Sequence, residues 1–191
     1  ENNFIFVKTD QTYKDKLLEI PQSVCKLRNV ADDQLFDIII DDGSHASFHQ
    51  QNTFFTLFPY LKNGGVFVIE DLQWQPHWDP TRKRIKPFQG NYPDVPKTLS
   101  TTAMLRVMEK ALPIISNSNI FSTTRRNLTA NLLKLNKMDD SKDFPFVEEV
   151  KEFLQEIDKI TIYRNCDFKT SDRADPRAYI DAMLCIIEKK V

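Results

Sequence analysis

The chain has 191 residues, 41% of them hydrophobic, and a formal net charge of -1. That is enough apolar material for one domain with its own core. The charge balance favours neither nucleic acid nor an anionic membrane surface, and no apolar run of about 18 residues predicts a transmembrane helix.

Phe4 to Val7 (FIFV) is a short apolar run that predicts a strand, ending at Lys8-Thr9-Asp10. Tyr13, Leu17, Leu18, Ile20 and Val24 then predict a helix broken at Pro21. Phe36 to Ile40 is apolar apart from Asp37, and reads as a strand buried on both faces. Gly43 breaks it, and Ser44 is a plausible N-cap for a helix from about Ala46 to Leu61. Phe48, Phe55 and Phe58 recur there at helical spacing. Asn63-Gly64-Gly65 turns the chain into a second buried strand, Val66 to Ile69. Strand, helix and strand make a βαβ unit whose strands run parallel.

Residues 72–96 read as a loop carrying Trp74, Trp78 and several prolines, placed to fold over whatever lies beyond Asp71. Residues 97–158 are mainly helical in pattern. One helix spans Leu99 to Leu112 and stops at Pro113; a second carries Leu128 to Met138; a third carries Phe146 to Ile157. Ile160 to Tyr163 and Met183 to Ile187 are two strands with no room for a helical crossover, so they pair antiparallel. The expected fold is α/β, a single domain with a mainly parallel sheet and an antiparallel C-terminal strand pair.

Cys25, Cys166 and Cys185 are odd in number and lack CxxC spacing. They read as reduced packing thiols of a cytoplasmic protein. The four glycines all lie between Gly43 and Gly90, so the chain has no Gly-rich loop to cradle a phosphate.

The chemistry concentrates at the ends of the two central strands. Asp41-Asp42 closes the first and Glu70-Asp71 the second, with His45 three residues past Asp42. Neighbouring strands lie about 4.8 Å apart, so Asp42, Glu70 and Asp71 can converge on one ion. Carboxylates that close repel unless a cation neutralises them, and hard oxygen ligands suit Mg²⁺, Ca²⁺ or Mn²⁺. The alternative is that these acids only cap or turn the chain. His45 suits a general base, because a histidine side chain can take a proton at neutral pH; the plainer reading is a helix-start histidine bonded to backbone. His49 is expected to pack behind the site. Trp74, His77 and Trp78 are candidates for contact with a sugar or ring, or ordinary loop anchors. The basic runs Arg82 to Lys86 and Arg125-Arg126 read as solvated loops.

FDIIIDDGSHASFHQ followed by LFPYLKNGGVFVIEDL resembles the metal-dependent sugar O-methyltransferases that modify macrolide antibiotics. The resemblance is specific over Phe36 to Leu72 and looser elsewhere. It implies a Rossmann-like class I methyltransferase fold, S-adenosylmethionine as methyl donor and Mg²⁺ or another hard divalent cation. By motif, Asp42, Glu70 and Asp71 would hold the metal and His45 would be the base. Asp10 and Gln11, in FIFVKTDQT, would lie near the adenine, with Asp41 also on the cofactor side. The acceptor would be a hydroxyl of a glycan or glycosylated small molecule, and a homo-oligomer is one option for assembly. The first strands of that fold and their Gly-rich loop are absent from the sequence, so a fragment of a longer methyltransferase is expected. Two other readings stay open: a catechol-type methyltransferase and an inactive methyltransferase-like binding module.

Overall fold

The structure is a computed structural model. It describes residues 5–30, 33–72, 98, 100–115, 146–164 and 183–191. Helix α1 spans Lys14–Arg28, strand β1 Phe36–Asp41 and helix α2 Ser47–Leu57. A 3₁₀ turn, Phe58–Tyr60, leads into β2, Leu61–Ile69. Helices α3 (Thr101–Ile115) and α4 (Val147–Phe153) precede strands β3 (Ile157–Arg164) and β4 (Met183–Lys189).

The strands form one mixed sheet in the order β1-β2-β4-β3. The expected parallel pair is β1 with β2, in register from Ile38↔Val66 to Asp41↔Ile69. The expected antiparallel pair is β3 with β4. β4 also pairs antiparallel with β2, which joins the two pairs into a single sheet.

One face of the sheet holds the core. Phe67 and Ile69 of β2, Cys185 and Ile187 of β4, and Ile160 of β3 are buried there. Phe54, Phe55 and Phe58 pack onto it with Phe146 and Phe153, ring centroids 4.9 to 6.0 Å apart. Met104, Leu105 and Met108 of α3 complete the layer. Helix α2 has no charged residue, and ten of its side chains, from Ser47 to Leu57, are buried. A helix surrounded by protein needs that composition.

Several element boundaries differ from the sequence reading, each for a local reason. Ile5 to Val7 forms no strand, and Phe6 is 92% exposed. Among the described residues no strand lies beside it to complete a ladder. α1 runs through Pro21 without a break, because the ring is buried on its packed face and only one helical hydrogen bond is lost. α2 starts at Ser47, not Ala46, and gives way at Phe58 to the 3₁₀ turn with Pro59 near its start. Ser44 is therefore not its N-cap; Ala46 is.

Strand β2 begins at Leu61, five residues before Val66. The register jumps from Phe36↔Leu61 to Ile38↔Val66, so the Asn63-Gly64-Gly65 stretch is a bulge inside the strand. Gly64 takes a positive φ of 74°, and its N–H donates to the Lys190 carbonyl. α3 continues past Pro113 to Ile115, and α4 is the shorter Val147–Phe153. The helix expected over Leu128 to Met138 and the loop over 73–96 lie outside the described residues.

Candidate functional site

The carboxyl ends of β1 and β2 lie side by side. The Glu70 N–H donates to the Asp41 carbonyl at 3.0 Å, which carries the parallel ladder one step beyond Asp41↔Ile69. Asp42, Glu70 and Asp71 therefore sit at one edge of the sheet. Asp42 is exposed, and Glu70 and Asp71 are half-buried. Asp71 holds a left-handed backbone, φ 54°. Aspartate tolerates that region better than most residues, and such conformations are held where surrounding structure demands them.

His45 stands over this edge, its Nε2 3.5 Å from Asp71 Oδ2, with both side chains about one-third exposed. The structure thus brings His45 to Asp71. Among the described residues, however, no group of three His, Cys, Asp or Glu side chains is gathered to hold a metal ion. The fit to a hard divalent ion is therefore one of donor type and backbone position.

Asp41 points the other way. It is 5% exposed, and its Oδ1 accepts from Gln11 Nε2 at 2.9 Å and from the Gly43 N–H at 3.2 Å. Oδ2 has no hydrogen-bond partner. Burial pushes this carboxyl up to about 6, and the Asp42 charge adds to the rise. The bonds from Gln11 and Gly43, and His45 nearby, pull against it.

Asp10, Gln11, Gly43, Ser44 and His49 share a cleft of about 670 Å³ with Lys8, Tyr13 and Lys16. The Thr12 N–H donates to Asp10 Oδ1 at 2.8 Å, and this bond holds the Asp10 carboxyl below its ordinary value. His49 is buried, as expected. Its Nε2 bonds Thr12 Oγ1 at 3.0 Å and its Nδ1 bonds Ser44 Oγ at 2.7 Å. Desolvation lowers its pKa, against a smaller opposite effect of the Asp10 charge.

Sequence reasoning missed the run Gln50 to Thr53. All four side chains are buried. Gln50 Nε2 donates to the Glu70 carbonyl at 3.0 Å, and Asn52 Nδ2 to the Gln11 carbonyl at 2.8 Å. Gln51 Oε1 accepts from Thr98 Oγ1, and Thr53 Oγ1 from Gln11 Nε2. These residues fasten α2 to the end of β2, to Gln11 and to Thr98. The available signal was four uncharged polar residues in a helix with no charge at all. Trp74, His77 and Trp78 lie outside the described residues.

No protein-family model matches the chain. Short stretches match curated enzymes closely. One stretch of 47 residues is 62% identical to the 8-demethyl-8-(2-methoxy-alpha-L-rhamnosyl)-tetracenomycin-C 3'-O-methyltransferase of Streptomyces olivaceus. It covers 24% of this chain and 12% of that protein. Another, of 43 residues, is 54% identical to the demethylmacrocin O-methyltransferase of Streptomyces fradiae, covering 22% and 11%. The chain is similar, over these stretches, to the sugar O-methyltransferases of antibiotic pathways. A third relative of that kind, the mycinamicin VI 2''-O-methyltransferase of Micromonospora griseorubida, is 51% identical over 43 residues, 22% of this chain and 10% of that one. Among solved structures, the MycE methyltransferase of the mycinamycin pathway in complex with Mg and SAH superposes with a TM-score of 0.46 at 19% identity. That superposition covers 96% of this chain and 31% of the other. The matched stretches thus span about one-eighth or less of the curated sugar O-methyltransferases.

Proposed function

We propose that this chain belongs to an S-adenosylmethionine- and metal-dependent O-methyltransferase that acts on a hydroxyl of a sugar or glycosylated small molecule. The observation that carries the reading is the β1–β2 register, which sets Asp42, Glu70, Asp71 and His45 at one sheet edge. The close sequence matches to antibiotic-sugar O-methyltransferases support it.

In this reading Asp42, Glu70 and Asp71 hold a hard divalent cation. Such an ion, when bound, orients neighbouring hydroxyls and stabilises negative charge developing on oxygen. His45 takes the proton of the acceptor hydroxyl at Nε2, and Asp71 orients its ring from 3.5 Å. Bound S-adenosylmethionine would supply the methyl group, and the chain's part would be to orient the acceptor oxygen beside His45 toward it, which supplies much of the rate. The Asp10–Gln11 cleft takes the adenine end of the methyl donor, with Asp41 behind Gln11. Trp74, His77 and Trp78 contact the acceptor. The setting is cytoplasmic and the assembly a homo-oligomer, without nucleic acid or membrane.

Isothermal calorimetry of the full-length protein with Mg²⁺ and with S-adenosylmethionine tests the reading. Both are expected to bind. Asp42→Ala is expected to abolish Mg²⁺ binding and methyl transfer while S-adenosylmethionine still binds. A variant that keeps wild-type metal affinity and turnover overturns the ligand assignment.

A further inference from the structure

Both N–H donors of the Gln11 carboxamide are spent inside the protein. Its Nε2 donates to Asp41 Oδ1 and to Thr53 Oγ1, each at 2.9 Å. Its Oε1 accepts the Ser44 N–H at 2.8 Å. An amide has two N–H donors, and both are used. The acceptor faces a backbone N–H, which fixes which way the group is turned. Its own backbone is tied as well, since its carbonyl accepts from Asn52 Nδ2.

The turn after β1 is shaped around this group. A Cβ placed on Gly43 would stand 2.6 Å from Gln11 Oε1 and 2.9 Å from its Cδ and Nε2. The end of a glutamine usually swings aside cheaply. This one cannot move without surrendering three hydrogen bonds, one of them to a buried carboxylate. Without the carboxamide, Asp41 Oδ1 keeps the Gly43 N–H at 3.2 Å, and the Ser44 N–H loses its acceptor.

We infer that Gln11 is a positioning residue: it locks the Asp41–Ser44 turn and so sets where Asp42 and His45 stand. The inference rests on the site proposed above, but it gives Gln11 a different task from contact with the methyl donor. The carboxamide has no N–H left to donate to an adenine ring nitrogen unless the turn itself opens.

The test compares full-length wild type, Gln11→Ala and Thr53→Val by Mn²⁺ calorimetry and by NMR of the His45 imidazole. Gln11→Ala is expected to weaken Mn²⁺ binding about tenfold, in line with loss of an outer support of a metal ligand. It should also shift the His45 ring signals. Thr53→Val removes one carboxamide bond and should move both readouts less, in the same direction; it serves alone if Gln11→Ala does not fold. Gly43→Ala should reproduce the Gln11→Ala phenotype in wild type and add little to it in the double variant. A purely structural role would lower the melting temperature and leave Mn²⁺ affinity and the His45 signals unchanged, and that result overturns the inference. If wild type binds no Mn²⁺, the metal reading falls by itself, and the His45 signals alone decide the role of Gln11.

Discussion

His49 shows how much a single buried side chain can couple. It links Thr12, before α1, to Ser44, in the turn after β1. Burial lowers its pKa from the ordinary 6.5, with the Asp10 charge opposing. The sign of the pH effect follows from the protons each state binds. Above about pH 6.5 both states are neutral at this residue and it adds no pH dependence. Below that, the unfolded chain takes a proton that the folded chain resists, so stability falls until the lowered folded pKa is reached. His49→Gln is therefore expected to flatten the stability profile below about pH 6.5, measured by urea unfolding. A wild-type slope persisting in that variant would assign the acid sensitivity elsewhere. At this scale the sequence revealed part of the geometry. The shared edge of Asp42, Glu70 and Asp71 was legible because a strand that ends in paired acids has a fixed carboxyl edge. Gln11 was legible only as a neighbour of the site. Its bonds to Asp41, Thr53 and Ser44 join residues 30 to 42 positions apart, and no local pattern encodes such pairs. The left-handed turn at Asp71 likewise has no sequence signature, since aspartate takes either conformation.

Helix α2 and strand β2 are held by polar groups that a hydrophobic pattern does not report. The periodic phenylalanines were enough to predict that α2 exists. Its end was not legible, because Pro59 fits the 3₁₀ turn as well as it fits a helix start. The bulge at Asn63-Gly65 was read as a turn for a related reason: glycine pairs serve both. A buried lysine reinforces this corner. Lys189 of β4 donates to the Leu61 carbonyl at 3.0 Å and the Pro59 carbonyl at 3.3 Å. It lies 3.4 Å from Glu156 Oε2 and 5.3 Å from the centre of the Phe58 ring. Lys189→Met keeps the apolar stem and removes the donor. The expected cost is about 1.5–3 kcal/mol, the usual worth of hydrogen bonds to a charged group, read from chemical denaturation. A cost near zero would mean that water replaces the ammonium at both carbonyls.

The sheet as a whole has two unequal faces. Ile39, Asp41, Phe67, Ile69, Cys185 and Ile187 lie on the side of α2 and α3. Ile38 and Ile40 point the opposite way and are 62% and 60% exposed. The apolar run Phe36 to Ile40, interrupted by Asp37, predicted burial on both faces, and alternate residues of β1 show that only one is filled. An apolar run states what a strand tolerates, whereas its burial depends on which elements stand against it. The described helices α2 and α3 both lie on one side. Two substitutions of the same kind measure the asymmetry. Ile69→Ala opens a cavity between β2, its strand neighbours and the aromatic layer, for an expected loss of about 2–5 kcal/mol. Ile40→Ala removes side-chain area that water already reaches, for an expected loss under about 1 kcal/mol. Both are read from urea unfolding of this chain, with the slopes compared to confirm that the unfolded states match. Equal losses at the two positions would contradict a one-sided core, because the same methyl groups cannot be both solvated and load the packing.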